Sequence, residues 1–495
     1  MTQNKNSKKY NFQLTLLSIT LLSSMFAQAQ SLSFQDAERQ LLQSSYSSQA
    51  YNNLEQAAKL EAEASKGLGL PRIDLNVRAY AFHSEVDIPL QQFKNHLESS
   101  LSQGINGQIS QWESSSGLSS GSIDPLRSGI NNTIHSGIGL IPDTANVVLE
   151  DQVIRPTVSV MMPLYTGGLT SSAKDVVKIQ SSRSQLNNQE QQDLQRFELI
   201  QAYFNVQLQK QLHTAAQSNL MTMQQHYRNA LKMEQQGFLS KGQRMQFEVA
   251  RNNAERTAQN NQVNLSAALF QLSNLLQQSS ITELSTPLFV NRSEPQDLNN
   301  LLKTFSQNSA LIQKMQMDTQ LANANIKVQQ ASKKPNVFAF GEYSLDQNEN
   351  WIIGVAARYN LFSGVDKNKN IQAAELKRDA TELLTARTQQ ELESLIYKSY
   401  SEAVSAQRSD LLLQQNIKAA QENLRIQELS FKEDVGTAYQ VIDAQNILNG
   451  LKAETALNAY KYVISLATLL QSHGSITTFP TYIQHANTHY IRALE

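Results

Sequence analysis

Long stretches of this chain repeat apolar residues at the spacing of an α-helix. Residues 170–236 and 367–433 contain neither proline nor glycine, so each predicts an unbroken helix of about 100 Å at about 1.5 Å per residue. A shorter helical pattern follows each of them, at 245–278 and 441–471. Because such long helices, rich in Ala, Leu and Gln, cannot bury an apolar stripe alone, we expect them to pack as coiled coils.

Four shorter segments alternate apolar and polar residues with the period of a β-strand. They lie at 72–82, 157–164, 336–345 and 351–361. In the first of them, Ile73, Leu75 and Val77 lie on one face, and Asp74 and Asn76 lie on the other. A length of about 9–11 residues fits a transmembrane strand, but the alternation fits a half-buried sheet of a soluble protein equally well.

Closure of the sheet separates these two interpretations. Membrane barrels need about eight strands or more, and lipid does not tolerate an open sheet edge. Four strands from one chain therefore cannot span a membrane unless several chains contribute to one barrel. Together with helices of about 100 Å, such strands describe a barrel that is continued by a helical tube.

The same order of elements occurs twice, which indicates an internal duplication. Residues 163–168 resemble residues 360–365 at an offset of 197, and Gly242 matches Gly436 at an offset of 194. Each half predicts an opening helix, two strands, a very long helix, a tip and a returning helix. The opening helices are expected at 34–66 and 298–332, and the strand-to-helix turns contain Pro163, Gly167 and Gly168 in the first half and Ser363 and Gly364 in the second.

Composition agrees with long elements and excludes several functional classes. The 495 residues include only 19 glycines and 10 prolines, about half of the roughly 12% that these two residues usually contribute together. With a net charge of −1, the chain lacks the excess of positive charge that is typical of nucleic-acid-binding proteins. The absence of cysteine excludes a disulfide framework, a thiolate metal site and a cysteine nucleophile. The sequence also lacks H-E-x-x-H and Walker A motifs, so we expect neither an enzyme nor a cofactor or metal site.

The N-terminus predicts a secretory signal peptide over residues 1–29. Lys5, Lys8 and Lys9 precede an apolar stretch at 12–26, and the small-residue stretch 27–29 follows it. These are the three parts of such a peptide in their usual order. After the first thirty residues no apolar run reaches the ~18 residues that a membrane-spanning helix needs, so a membrane would have to be crossed by strands.

These features resemble the TolC family of outer membrane efflux proteins. The resemblance rests on the duplicated plan, the turn at 163–168 and the two glycine-centred tips, and it covers about residues 31–474. It implies a mainly α fold with a small β part, in which three chains form a twelve-stranded outer membrane β-barrel continued by an α-helical coiled-coil periplasmic tunnel. The implied domains are a first structural repeat at 30–280, a second at 281–474 and a C-terminal tail at 475–495.

The resemblance also implies site residues and partners. Its tip motifs, which contact a periplasmic adaptor (membrane fusion) protein, match Lys241, Gly242, Gln243, Val435, Gly436 and Thr437. Asp443 matches an acidic position at the periplasmic gate, and Gln440 stands where a second acidic residue is often found, so the acidic ring should be weaker. The other implied partners are two copies of the chain, an inner membrane transporter of the RND or ABC type, and outer membrane lipid.

One insertion breaks the symmetry between the halves. Pro71 to Leu164 spans 93 residues, whereas Pro335 to Leu361 spans 26, so the first strand pair carries an extra segment near 83–152. Its Ser- and Gly-rich stretch 114–121 is expected to be flexible. In the family's topology this segment faces the cell exterior. We expect it to partly cover the pore or to meet the environment, and a mobile loop without a partner is the alternative.

The expected function is that of an outer membrane exit channel in a tripartite export system, for drug efflux or type I protein secretion. The alternative is a secreted coiled-coil structural protein of the cell envelope or surface. Simpler interpretations of the site residues also stay open. Each tip glycine could serve only to let the chain reverse, and Asp443 could be a solvated carboxylate that the helix dipole stabilises.

Overall fold

Two halves with the same order of main elements make up the chain. The computed structural model describes residues 31–492 except for 82–87, 117–119, 142–143, 146–151, 280, 282, 294–295, 346–349, 363 and 434. The expected signal peptide at 1–29 and the turn residue Ser363 lie outside the described residues.

The first half contains α1 (Phe34–Ser44), α2 (Tyr46–Ala64), β1 (Arg72–Ala81), β2 (Ile88–Pro89), α3 (Gln91–Ser116), α4 (Ser120–Ile138), β3 (Thr144–Ala145), β4 (Gln152–Tyr165), α5 (Leu169–Gln235) and α6 (Lys241–Leu275). The second half contains β5 (Leu288–Asn291), α7 (Leu298–Asn308), α8 (Ala310–Ala331), β6 (Asn336–Ser344), β7 (Trp351–Arg358), α9 (Lys367–Lys432), α10 (Ala438–His473), α11 (Phe479–Ile483) and β8 (Thr488–Ile491).

The two longest helices begin and end close to their predicted limits. α5 has 67 residues and α9 has 66, and each pairs with the helix that follows it, α6 or α10. α8 lies against both long helices, and α10 also contacts α5, so the two halves are joined along their length. The long helices predicted from the absence of glycine and proline are confirmed. Among the described residues, no helix combines the length and the apolar character needed to cross a membrane.

Each predicted opening helix is instead two helices separated by one serine. α1 and α2 meet at Ser45, and α7 and α8 meet at Ser309; both serines have extended backbone, with ψ of 141° and 115°. The Ser48 N–H donates to the Ser45 hydroxyl at 3.1 Å. The Ser45 side chain competes with helical hydrogen bonding in this way, whereas the Ser309 side chain makes no such cap hydrogen bond. The prediction of single helices at 34–66 and 298–332 was wrong at these two positions.

The four long strands form one antiparallel sheet in the order β1-β4-β6-β7. Its apolar face is open: Ile73, Leu75 and Ile353 expose 69%, 68% and 74% of their surface. Thr157 and Ser159 on the opposite, polar face are buried. β1 and β7 are the two edges, and neither pairs with a further strand within the described part of the chain. The sheet therefore presents apolar side chains on one face and unpaired backbone at both edges.

The largest hydrophobic core lies halfway along α5, where an aromatic cluster joins both halves. Phe34, Phe204, Phe289 and Phe479 contact one another with ring centroids 5.4 to 5.9 Å apart. These rings come from α1, α5, β5 and α11. The cluster therefore fixes the opening helix, the long helix and the C-terminal tail relative to one another.

The C-terminal tail is held by polar contacts as well. β8 pairs antiparallel with β5. Arg292 donates to the Asp410 carboxylate at 2.9 Å, and the His489 ring nitrogen lies 3.2 Å from the same carboxylate. Burial raises the pKa of Asp410, but the hydrogen bonds from His489 and Arg292 outweigh it and hold that pKa below its usual value. These contacts tie β8 to α9.

Replacing Phe479 with alanine should destabilise the junction between the tail and the long helices. The ring is buried, and removing a buried phenylalanine costs about 3–5 kcal/mol. We expect Phe479→Ala to lower the midpoint of thermal unfolding, which circular dichroism of the protein in detergent would measure. Gln484→Ala, at an exposed position of the same tail, should leave the midpoint unchanged. Equal midpoints for the two variants would contradict the role of this core.

Candidate functional site

The first helical tip is closed by a glycine turn and a capping box. α5 ends at Gln235, and Gly237 just beyond it has a φ of 78°, a conformation that favours glycine. Ser240 then caps α6. The Ser240 N–H donates to the side-chain oxygen of Gln243 at 3.0 Å, and the Gln243 N–H donates to the Ser240 hydroxyl at 3.3 Å.

The second tip uses the same capping arrangement after a different turn. The Thr437 N–H donates to the side-chain oxygen of Gln440 at 2.7 Å, and the Gln440 N–H donates to the Thr437 hydroxyl at 3.4 Å. The N–H groups of Val435 and Gly436 both donate to the Ser430 carbonyl, at 3.0 and 2.9 Å. A Cβ added at Gly436 would lie 3.0 Å from the backbone of the last turn of α9. The turn therefore needs a small residue for its own packing.

These geometries correct the assignment of the first tip glycine. Gly242 lies in the first turn of α6, where a Cβ would meet only the Ser240 hydroxyl, at 3.9 Å, and the chain reverses at Gly237 instead. The caps Ser240 and Thr437 are 197 residues apart, which is the offset of the strand-to-helix turns, so Gly242 is not the counterpart of Gly436. Glycine directly after a helix end is a usual stop signal, and this signal could have identified Gly237 from the sequence.

The two gate residues are in different situations. Gln440 uses its side-chain oxygen to cap α10, so that oxygen is directed to the tip backbone. Asp443, one turn further along α10, is exposed and makes no hydrogen bond or ion pair within the described part of the chain. Only Asp443 has a charged side chain, and its exposed carboxylate is free to line an opening.

An open groove of about 480 Å³ lies between α6 and α10 beside the tips. Met245, Val249 and Tyr439 line it with exposed apolar surface. Gly242 contributes to the same wall and has no side chain to fill the space. A partner could therefore approach the backbone of α6 closely at this point.

Both tips share one small core. Phe247 of α6 contacts Phe431 of α9 with ring centroids 5.6 Å apart, and the His226 ring lies 5.9 Å from Phe247. Burial lowers the pKa of His226, whereas Glu428, whose carboxylate lies 3.6 Å from the His226 ring nitrogen, acts in the opposite direction. The tips of the two helical hairpins are therefore packed as one unit.

The strand-to-helix turns place glycine where another residue would be strained. Gly167, Gly168 and Gly364 have φ of 64°, 96° and 72°. A Cβ on Gly167 would lie 2.6 Å from the Lys334 Cβ. Pro163 lies at the irregularity in register between β4 and β6. These turns direct the chain from the sheet into the long helices.

The extra segment of the first half contains a helical hairpin. α3 and α4 contact each other through buried Leu97, Leu101, Ile134 and Ile138. Met161 of β4 packs against the same cluster, so the hairpin lies on the polar face of the sheet. The stretch 114–121, predicted to be flexible, contains the end of α3 and the start of α4. Outside this stretch, burial of apolar residues four apart stabilises the two helices despite their serines and glycines. The flexibility expected for 114–121 stays a prediction.

Family comparison identifies the class of protein that this fold defines. A family model described as Outer membrane efflux protein matches residues 301–475. Those residues belong to the outer membrane efflux protein family, and the resemblance seen in the sequence is confirmed. No curated protein matches the chain.

Solved structures extend the likeness over the described chain. The outer membrane protein VceC from Vibrio cholerae has a TM-score of 0.67 at 14% identity, covering 89% of this chain and 96% of its own. The CmeC outer membrane channel from Campylobacter jejuni has a TM-score of 0.67 at 11% identity, covering 90% and 86%. The open state of the MtrE outer membrane channel from Neisseria gonorrhoeae has a TM-score of 0.67 at 15% identity, covering 90% and 89%. At these identities the likeness shows the fold, and the predicted mainly helical protomer with few strands is confirmed.

The family also defines the general function. Outer membrane efflux proteins are transport channels and not enzymes, so the predictions of an outer membrane location and of a non-enzymatic channel are confirmed. Channels of this family form trimers and act with an adaptor and an inner membrane pump.

Acidification should loosen the tips through His226. The pKa of His226 is lowered in the folded chain, so its contribution to stability is complete above about pH 6.5 and decreases as the pH falls through the folded-state pKa. Between about pH 7.5 and 5.5, the thermal midpoint should therefore fall less in His226→Gln than in the parent. In His96→Gln, at an exposed position, the thermal midpoint should fall as much as in the parent. If the thermal midpoint of His226→Gln fell as much as that of the parent over this pH range, the role of His226 would be refuted.

Proposed function

We propose that this chain is the outer membrane exit channel of a tripartite export system, passing substrates from an inner membrane pump and a periplasmic adaptor to the cell exterior. The observation that carries the proposal is the orientation of the sheet. Its open face carries Ile73, Leu75 and Ile353, and its covered face carries polar residues such as Thr157 and Ser159. Apolar residues outside and polar residues inside are the arrangement of a membrane barrel.

Three copies would complete that barrel. The unpaired edges β1 and β7 expose backbone groups, and each unsatisfied group costs several kcal/mol in lipid. If β7 of one chain pairs with β1 of the next, three chains close a barrel of twelve strands, with every edge paired. Four strands from each of three chains also give the even, antiparallel arrangement that outer membrane barrels use.

The helices would continue this barrel as a periplasmic tunnel. α5 and α9 each extend about 100 Å. Apolar residues on the sides of α6 and α9 remain open in a single chain, and Phe270 and Leu383 each expose 72% of their surface. In a trimer such residues can pack against the neighbouring chain in a coiled coil, which explains why they are apolar.

The tips would form the periplasmic end, where an adaptor docks. The groove between α6 and α10 offers apolar side chains and the bare backbone of Gly242. The assigned contact residues are Lys241, Gly242, Gln243, Val435, Gly436 and Thr437, and all of them except Gln243 and Gly436 are exposed. Asp443 would contribute one carboxylate per chain to a ring around the entrance, which favours cations.

Transport through such a channel needs no catalytic group, because the inner membrane pump supplies the energy and selects the cargo. An RND transporter would make the system a drug efflux pump, and an ABC transporter would make it a drug or protein exporter. The alternative of a secreted coiled-coil structural protein leaves the open apolar face of the sheet unexplained, since water disfavours such a face.

Placing a lysine on the open face of β1 should prevent assembly in the outer membrane. A lysine facing lipid near the bilayer midplane costs about 2–4 kcal/mol, so Leu75→Lys should reduce the outer membrane trimer that unheated gels detect as a heat-modifiable band. Asn76→Lys, on the polar face of the same strand, is the matched control and should assemble. Recovery of the parent as a soluble monomer in envelope fractionation would refute the exit channel.

Removing the carboxylate at the periplasmic entrance should weaken its preference for cations. Asp443→Asn keeps the size of the side chain but removes three charges from the trimer. We expect multivalent cations added on the periplasmic side to block bilayer currents less in this variant than in the parent. Asn446→Gln, one turn further along α10, is the control. Equal block of the parent and Asp443→Asn would show that Asp443 does not line the opening.

A further inference from the structure

We propose that the α3–α4 hairpin is a plug inside the outer barrel, which closes the exit of the channel until the hairpin moves. The proposal rests on the proposed function, because the polar face of the sheet lines a lumen only if the chains close a barrel. The contacts of the hairpin with that face carry the inference. These contacts show how the two helices run along the sheet, how closely they pack against it and how much of the lumen they would fill.

α3 runs back along β1 from the exterior end of the sheet. Phe93, near its start, lies under Arg78, whose guanidinium carbon is 4.3 Å from the ring centroid. Gly104, eleven residues later, lies against the Arg72 guanidinium at the other end of the strand. Six strand residues extend about 20 Å, and eleven helical residues extend about 16 Å. α3 therefore follows the inner face over most of the strand length.

α4 contacts the end of the sheet that joins the long helices. The Arg358 guanidinium at the end of β7 donates to the Asn132 carbonyl. Gly137 lies against the Phe338 ring near the start of β6, and Gly129 lies against Leu169 at the start of α5. The described part of α4 around these residues thus lies at the end of the sheet that adjoins the long helices.

Glycines make this close approach possible. A Cβ at Gly104 would lie 2.6 Å from Arg72 Nη2, and one at Gly137 would lie 2.3 Å from Phe338 Cε2. Glycine inside a helix is destabilising relative to alanine. Its presence where the hairpin meets the sheet indicates that the two surfaces fit each other closely.

The hairpin also covers polar groups that an open lumen would leave in water. Arg78 and Glu342 form an ion pair at 3.2 Å across the inner face, and their side chains are only 9% and 14% exposed. Phe93 of α3 lies on this pair. The hairpin therefore shields this ion pair from water.

The dimensions of a trimer leave little space beside the hairpins. Twelve strands about 4.8 Å apart and tilted by about 40° close a barrel of about 24 Å between backbones. Even the three α3 helices alone, each about 10 Å in diameter, span about 22 Å side by side, and the three α4 helices add to this. A substrate could pass only if the hairpins leave the lumen.

The hairpin is built to move as a unit. Its buried apolar residues mainly join α3 to α4, and the reciprocal hydrogen bonds between Asn106 and Asn131, at 3.1 and 3.2 Å, also lie within it. Its contacts with the sheet include polar ones from Arg78 and Arg358, and it also contacts α2, α5 and α8. Displacement of the hairpin as a unit would break these contacts and keep those between α3 and α4.

A disulfide can lock the plug, because the chain has no cysteine of its own. The double variant Gly137→Cys/Phe338→Cys removes the ring that crowds Gly137 and places two thiols between α4 and β6. We expect the oxidised trimer to show little current in planar bilayers and no export, with both restored by reduction. Each single-cysteine variant is the control and should not respond to oxidation. Equal current in the oxidised and reduced double variant would overturn the plug.

Deletion of residues 91–138, bridged by a short Gly-Ser linker, tests the same proposal in the opposite direction. We expect an outer membrane trimer with conductance several-fold above the parent, and cells that become sensitive to large antibiotics such as vancomycin. Deletion trimers with parental conductance would overturn the plug while leaving the exit channel intact. If neither the parent nor any variant forms a conducting trimer, the proposed function itself fails, and the plug with it.

Discussion

The rest of this molecule depends on a four-stranded sheet whose apolar face is open and whose two edges are unpaired. In lipid, each unpaired backbone group of β1 and β7 costs several kcal/mol, so one chain cannot be a finished membrane protein. In the proposed trimer, pairing with other copies would remove this cost, and the same symmetry would let the long helices bury their exposed apolar residues, such as Phe270 and Leu383. Assembly would therefore cover the open parts of the sheet and of the helices together.

Stability within one chain comes from the region halfway along the long helices. The aromatic cluster around Phe204 joins the opening helix, β5 and the tail, and Asp410 binds both Arg292 and His489. Because the chain has no cysteine, this packing holds the protomer without disulfides. The tips are stabilised separately, by capping boxes and by the small core around Phe247.

The regular elements could be predicted from the sequence because their signals are periodic and repeated. Two stretches without glycine or proline gave the long helices, and alternation in 72–82 identified the open face of β1. The breaks at Ser45 and Ser309 were missed, because a single serine inside a helical pattern carries a weak signal. The match of Gly242 to Gly436 rested on an offset of 194, whereas the caps lie 197 apart.

The α3–α4 hairpin was the largest feature that sequence reasoning missed. Its serines and glycines indicated a loop, but Leu97 and Leu101, and Ile134 and Ile138, recur at the four-residue spacing of a helix. Its position on the polar face depends on tertiary contacts with residues such as Phe338 and Arg358. No local pattern encodes such contacts.

Pairing between β7 of one chain and β1 of the next is the central claim, and cysteine cross-linking tests it most directly. Leu75→Cys on β1 would be combined in turn with cysteine at Trp351, Ile353 or Val355, which alternate along the open face of β7. One register should give a covalent trimer on denaturing, non-reducing gels of outer membranes, while every single-cysteine variant stays monomeric. Absence of a covalent trimer in all registers, for protein located in the outer membrane, would contradict the closed twelve-stranded barrel.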